Sequence, residues 1–398
     1  MNKKLLSLAA AALLLASTQV KANGTPPPAD VDDSFKLSGA VETGFGFQSD
    51  SNTNGGSIGG LPDFTDTTTV GNSDSENFLR FFVNEVEVDG EKSFGENIRL
   101  RFDIDFKGLT DTDSARVVLE QGYVTFGISS AEVSIGRFNA PIGVESVDVR
   151  NNWLISYAAP FRYLTPVNLT GVKIWIPFND TVDLQIAVAN SLNQSIGAVE
   201  FQDNIIPSAL VRLGFKWGEE GRQSTVGITG AVGPEFDGAT AGLHNEDSDL
   251  DILADIDAVI AFSDTFSLAA EGAFRMSQAR TSGLDDAMAV AALLAINYAP
   301  NETWDFTIRG HALIDLTNFS YGVDSDVAST TGAEWNAIDG AALGFEGNIF
   351  GGTIGMGYMI TEDAKFKLEG RFDAGLPDND ALDTGTAFSV IGHFGYTF

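Results

Sequence analysis

The C-terminal stretch 385–398, GTAFSVIGHFGYTF, limits the fold more than any other part of the chain. In an extended strand, successive side chains point to opposite sides. Phe388, Val390, Phe394, Tyr396 and Phe398 then share one face, while Ser389, His393, Gly395 and Thr397 share the other. One face is aromatic and apolar; the other is small and polar. Soluble sheets also alternate, but they rarely close a chain with aromatics at alternate positions and a terminal Phe directed outward. Such an ending fits a strand whose outer face lies in lipid, with its aromatics at the membrane interface.

The N-terminus is consistent with an exported chain. Lys3 and Lys4 precede a short apolar core, 5–16, and Val20-Lys21-Ala22 fits a small-residue cleavage site before Asn23. We read 1–22 as a signal peptide, 23–33 as a stiff, polar periplasmic tail, and 34–398 as one transmembrane unit. Ala22 before the cleavage point, rather than Cys, argues against a lipoprotein anchor. No later segment offers about 18 uncharged apolar residues in a row, so a spanning helix is not expected. With 398 residues, 43% of them hydrophobic, two or three soluble domains would be conceivable, but no break in composition marks a boundary. Without cysteine, an exported chain needs a source of stability other than disulfides. A closed barrel supplies it, because every backbone group pairs with a neighbouring strand and no edge stays open.

The alternation of the C-terminus recurs along the chain. We expect strands at 34–48, 78–89, 97–107, 116–126, 132–138, 169–178, 182–190 and 208–217. The second half adds 223–232, 249–262, 266–277, 287–298, 304–316, 345–360, 365–373 and 385–398. The clearest is NIRLRFDIDFK, which sets Ile98, Leu100, Phe102, Ile104 and Phe106 outward and Arg99, Arg101, Asp103 and Asp105 inward. The second strand is irregular: Phe82, Val86 and Val88 share a face, but Leu79, Phe81 and Val83 join Glu85 and Glu87 on the other, which predicts a bulge or a buried patch. The run 287–298 is rich in small residues and would suit a helix by propensity, but all its neighbours are strands. Long and short connections alternate throughout. The pattern predicts an all-β fold, a transmembrane antiparallel up-and-down barrel of about 16 strands with short periplasmic turns and long external loops. An even strand number puts both termini on the periplasmic side of the outer membrane. A barrel of this size leaves an aqueous interior.

The inward faces mix both signs of charge: Arg99, Arg101, Lys173, Arg212, Lys216, Arg275, Arg309, Lys365, Lys367 and Arg371 against Asp103, Asp105, Asp249, Asp251, Asp255, Asp257, Glu271, Asp305, Asp315, Glu369 and Asp373. Two readings stay open. These groups either set a transverse field that sorts solutes or form cross-strand ion pairs that satisfy a polar interior. The long connection 139–168 carries Glu145, Asp148, Arg150 and Arg162 and is the third external loop. It either enters the lumen as a constriction or caps the outside.

The net charge is −32, and loss of the leader would remove Lys3, Lys4 and Lys21 but no acid. Nucleic-acid binding is disfavoured by that sign. Acidic loops would concentrate cations at the mouth, or simply keep the chain soluble. Chemistry of the enzymatic kind has little support. His244, His311 and His393 are far apart on different elements and show no metal-ligand spacing. Ser389 and His393 would stand about 13 Å apart along a strand, too far for a nucleophile and its base. The acidic stretches 245–251 and 324–326 lack the full calcium-loop pattern. We expect no enzyme, no cofactor and no metal.

Several short motifs point to one family. Gly136-Arg137-Phe138, then Pro141, Gly143 and Glu145, Asn152, Pro166, Thr170-Gly171 and Val188-Ala189-Asn190, with Glu369, Arg371 and Asp373 near the end, resemble the OmpL-like β-barrel porin family, BBP2. A more distant likeness to phosphate-selective porins fails on lysine, which is scarce here outside the leader. The BBP2 resemblance implies an outer-membrane porin. The expected function is passive diffusion of small hydrophilic solutes and ions with a modest cation preference from the acidic mouth. The alternative is a structural or adhesive surface barrel with a closed lumen and partner-binding acidic loops. Expected partners are outer-membrane lipid, the permeating solutes, the barrel-assembly machinery acting on the C-terminal strand, and, by analogy with barrels of this size, two further copies in a homotrimer.

Overall fold

The computed structural model describes residues 34–50, 77–107, 116–192, 207–219, 222–234, 250–277, 286–316, 348–376 and 385–398. Its strands are β1 Phe35–Asp50, β2 Asn77–Phe94, β3 Ile98–Lys107, β4 Arg116–Ile128, β5 Ala131–Asn139, β6 Asn168–Pro177, β7 Val182–Ala189 and β8 Ser208–Glu219. They continue as β9 Arg222–Pro234, β10 Leu250–Ala261, β11 Phe266–Ser277, β12 Ala287–Tyr298, β13 Trp304–Asp315, β14 Asn348–Thr361, β15 Ala364–Leu376 and β16 Gly385–Thr397. Each strand pairs with its sequence neighbours, and β1 pairs antiparallel with β16, so the 16 strands form a closed barrel. At the seam Phe398 N–H donates to Gly39 O at 3.0 Å and Gly39 N–H to Phe398 O at 3.1 Å. The terminal Phe is thus built into the closure, and its side chain is 56% exposed on the outer face.

Alternation follows the expected phase. Phe388, Phe394 and Tyr396 are exposed while Ser389 and His393 are buried, and the same holds for Phe106 against Asp103 and Asp105. Beside the short turns stand exposed aromatics: Phe94, Phe126, Phe178, Trp217, Phe262, Tyr298, Trp304, Tyr358 and Tyr396. They make the girdle expected where a barrel meets the membrane interface. β11 and β12 occupy the expected 266–277 and 287–298, so pairing overrides the helical propensity of the alanine-rich run.

The predicted irregularity in β2 is a bulge. Glu42 faces Glu85 and Thr43 faces Val83, leaving Asn84 as the extra residue. The phase flips there, which corrects the expected grouping of Phe82 with Val86 and Val88. Phe81 is 82% exposed, and Phe82 turns inward against Val149, Ile155 and Ile391. β2 also runs to Phe94 rather than stopping at Asp89, so the turn is shorter than expected. A second bulge lies in β4, where Asp103 faces Gln121 and Ile104 faces Leu119, leaving Glu120 as the extra residue.

Candidate functional site: an inserted loop and a charged lumen

The connection from β5 to β6, residues 140–167, touches β1, β2, β11, β12, β13 and β15. Strands so far apart around a closed cylinder share only its interior, so this segment lies in the lumen. Its path starts at Gly143, where φ is 76° and an added Cβ would stand 3.0 Å from Glu271 Oε1. Only glycine fits both demands. Val144 N–H then donates to Glu271 at 2.9 Å, and Glu145 pairs with Arg309 of β13 at 2.6 Å. Asn152 folds the next turn by accepting from Ser146 N–H at 2.7 Å and donating to Ser146 O at 2.8 Å.

The short 3-10 turn Val149–Asn151 brings Arg150 to the β1–β2 wall. Its backbone N–H donates to Glu42 at 3.2 Å, and its guanidinium pairs with Glu87 and, at 3.6 Å, with Asp148. From there the segment runs along β15. Lys367 donates to the carbonyls of Val149 at 2.7 Å and Asn152 at 2.5 Å. Glu369 accepts from the N–H groups of Ile155 at 2.6 Å and Ser156 at 3.1 Å, and from the Ser156 hydroxyl. Arg371 donates to Tyr157 O at 2.6 Å. The return leg, a π-helical turn Pro160–Leu164, seats Ala159, Tyr163 and Leu164 on the inward side chains Ala273, Ala289, Ala291, Leu313 and Ile349. Arg275 donates to Leu164 O at 3.2 Å.

Burial acts on the charges of this segment. It raises the Glu145 carboxyl above the ordinary range, although Arg309 and the Ala158 N–H pull it down. Burial also lifts Asp148 to about 6 against the pull of Arg150, with Glu87, Glu42 and Asp105 adding to the rise.

The matching family model is described as "Putative beta-barrel porin-2, OmpL-like", and it covers residues 34–398. The chain belongs to this porin family. Among solved structures, the outer membrane channel DcaP of Acinetobacter baumannii is similar in fold at 12% identity and TM-score 0.61, covering 92% of this chain and 97% of that one. An anion-selective porin from Comamonas acidovorans follows at 11% identity and TM-score 0.59, covering 92% and 99%. OmpT of Vibrio cholerae is also similar, at 11% identity and TM-score 0.55, covering 93% and 99%. No curated protein matches the sequence.

In this porin the expected lumen residues fall into three groups. Arg275, Arg309, Lys367, Glu369, Arg371 and Glu271 hold the inserted segment, and Asp373 backs Arg371 at 3.0 Å. Ion pairs within the wall claim a second set: across strands, Arg99 with Glu132 at 2.7 Å, Arg212 with Asp257, Arg275 with Asp251 at 2.6 Å and Lys365 with Asp305 at 2.7 Å, and along β3 itself Arg101 with Asp103 at 3.0 Å. Lys173 lies over the rings of Tyr123 and Phe138 at 6.0 and 4.7 Å. Asp105, Asp255 and Asp315 are buried on inward faces, Lys216 is exposed, and Asp249 lies outside the described residues. Of the loop residues, Glu145, Asp148 and Arg150 meet the wall or each other, whereas Arg162 lies over the ring of its neighbour Tyr163 at 5.5 Å.

Pattern reading left several lumen groups out of the candidate set. Glu42 accepts from Asn84 at 2.9 Å and meets His393 at 3.1 Å, and His311 meets Asp373 at 3.0 Å. Oxygens of Glu85, Glu87, Glu120 and Asp148 gather within 4.8 Å of one another, and so do those of Glu87, Asp89 and Asp103. Among the described residues these are the carboxylate groups close enough to share a cation, and Arg150 reaches into the first of them. The bulges at Asn84 and Glu120 hid this wall, because each shifts the inward phase by one residue. A search for alternation allowing one slip per strand would have found it.

Proposed function

We propose that the porin passes small hydrophilic solutes and ions by passive diffusion through the part of the lumen that the inserted segment leaves open. The carrying observation is the segment itself. It is bound along the wall from β11 to β2, so the free passage is bounded by β3 to β8, with Arg99, Arg101, Lys173 and Lys216 as its water-facing groups. Glu145, Asp148 and Arg150 narrow it from the loop side. A modest cation preference is supported by the carboxylates of β2 to β4, namely Glu85, Glu87, Asp89, Asp103, Asp105 and Glu120, which outnumber the nearby Arg101 and Arg150. No reacting group is needed for this role.

The same reading puts the short turns and both termini in the periplasm, with 1–22 removed as a signal peptide and 23–33 left as a tail. The apolar outer face meets outer-membrane lipid, and the C-terminal strand is the signal for the barrel-assembly machinery. A homotrimer is supported only by analogy: one OmpT structure from Vibrio cholerae is described as a trimer form, at 10% identity and TM-score 0.55. A second reading, a closed surface barrel, draws on the buried apolar cluster of Phe138, Leu169, Ala187, Leu192, Leu210 and Leu253 between β5 and β10, against which Ala140 and Ile142 of the inserted segment pack.

Planar-bilayer recordings separate the two. An open porin gives stable conductance steps, and a salt gradient gives a reversal potential of cationic sign. Absence of steps from folded protein would support the closed barrel, and a reversal potential of anionic sign would overturn the selectivity assignment.

A further inference from the structure

β15 presents Lys367, Glu369 and Arg371 inward at alternate positions, about 6.7 Å apart along the strand. Their polarities run donor, acceptor, donor. The backbone of the inserted segment meets them in matching order: the carbonyls of Val149 and Asn152, the N–H groups of Ile155 and Ser156, then the carbonyl of Tyr157. These wall residues are 2%, 1% and 2% exposed. Charges so deeply covered are tolerated only with hydrogen-bonding partners, and here backbone groups of the segment supply them. Asp373 binds Arg371 at 3.0 Å and His311 at 3.0 Å, which orients the last of the three.

We propose that Lys367, Glu369 and Arg371 are positioning residues: they fix where the inserted segment stands and so set the cross-section and ion selectivity of the passage, without contacting solute. This rests on the porin reading. Their order along one strand encodes the course of a segment more than 200 positions away, as the separation of 213 between Ser156 and Glu369 shows.

The test uses the full chain in planar bilayers, with heat-modifiable gel migration confirming the folded barrel. Glu369→Ala removes the acceptor for two N–H groups and a hydroxyl. It is expected to replace a single conductance level by several noisy ones and to shift the reversal potential. Glu369→Gln, which keeps an acceptor, should restore most of the single level, and Leu368→Ala on the outer face should leave it alone.

A tether gives an independent readout. The chain contains no cysteine, and a Cβ at Gly355 would fall against the Leu154 side chain. The pair Leu154→Cys with Gly355→Cys should cross-link readily with Glu369 present, slowly in Glu369→Ala, and once oxidised should return that variant to a single level. A Glu369→Ala channel with unchanged level, selectivity and cross-linking rate overturns the proposal. If the parent protein passes no current, the porin reading falls, and the cross-linking rates still decide whether β15 positions the segment.

Discussion

β12 and β15, separated by two strands, face the same inserted segment and hold it by different means. β15 offers charges that bond to its backbone, whereas β12 offers Ala289, Ala291, Leu293 and Ala295, which bond to nothing and make room. The polar wall fixes position, because hydrogen bonds are directional. The alanine wall fixes depth, because small side chains allow Tyr163 and Leu164 to lie close against the strand at interior packing density. A lumen wall is therefore not uniformly polar where protein, rather than water, fills the space beside it.

The sharpest way to break this contrast is on the charged side. Arg309→Ala would leave Glu145 buried without its countercharge and is expected to cost about 3–5 kcal/mol, read from urea unfolding of the barrel in lipid vesicles. A loss below 1 kcal/mol would mean that the segment does not need this grip. On the apolar side, Ala291→Phe overpacks the seat of the π-helical turn and should cost about 1–3 kcal/mol in the same assay. No cost there would show that β12 faces water.

A third anchor, at the acidic β1–β2 wall, should show itself in charge more than in stability. Asp148 titrates near 6, so it is mostly ionised at pH 7 and mostly neutral at pH 5. Cation preference measured by reversal potential should fall as pH drops through that window, and Asp148→Asn should flatten the response. The smallest effect belongs to the open wall. Arg99 and Glu132 form a half-exposed pair, so Arg99→Ala should change stability by about 0.2–1 kcal/mol at most. A larger loss would place that wall under protein cover as well.

Much of the barrel was readable in the chain. A period of two with alternating long and short connections identified the strands, and β11 and β12 have the expected limits even though β12 has helical propensity. The reading failed where period two itself fails. The bulge at Asn84 turned Phe82 inward, and the one at Glu120 concealed a carboxylate wall. The candidate site was legible as a set of inward charges but not by role. Glu369 and Arg101 look alike in sequence, yet one binds backbone of the inserted segment and the other a neighbouring carboxylate.

The amino-acid order alone determined that the ribbons have a lipid face and a polar face, that there are about 16 of them, and that a long third external connection follows the fifth. These are local properties, set by side-chain direction and turn chemistry. Only the closed structure decided where that connection goes, because its course depends on β15, β13 and β2 arriving around a common interior. Buried charges and an alanine seat then select one path, and no local pattern records a contact between groups so distant along the chain.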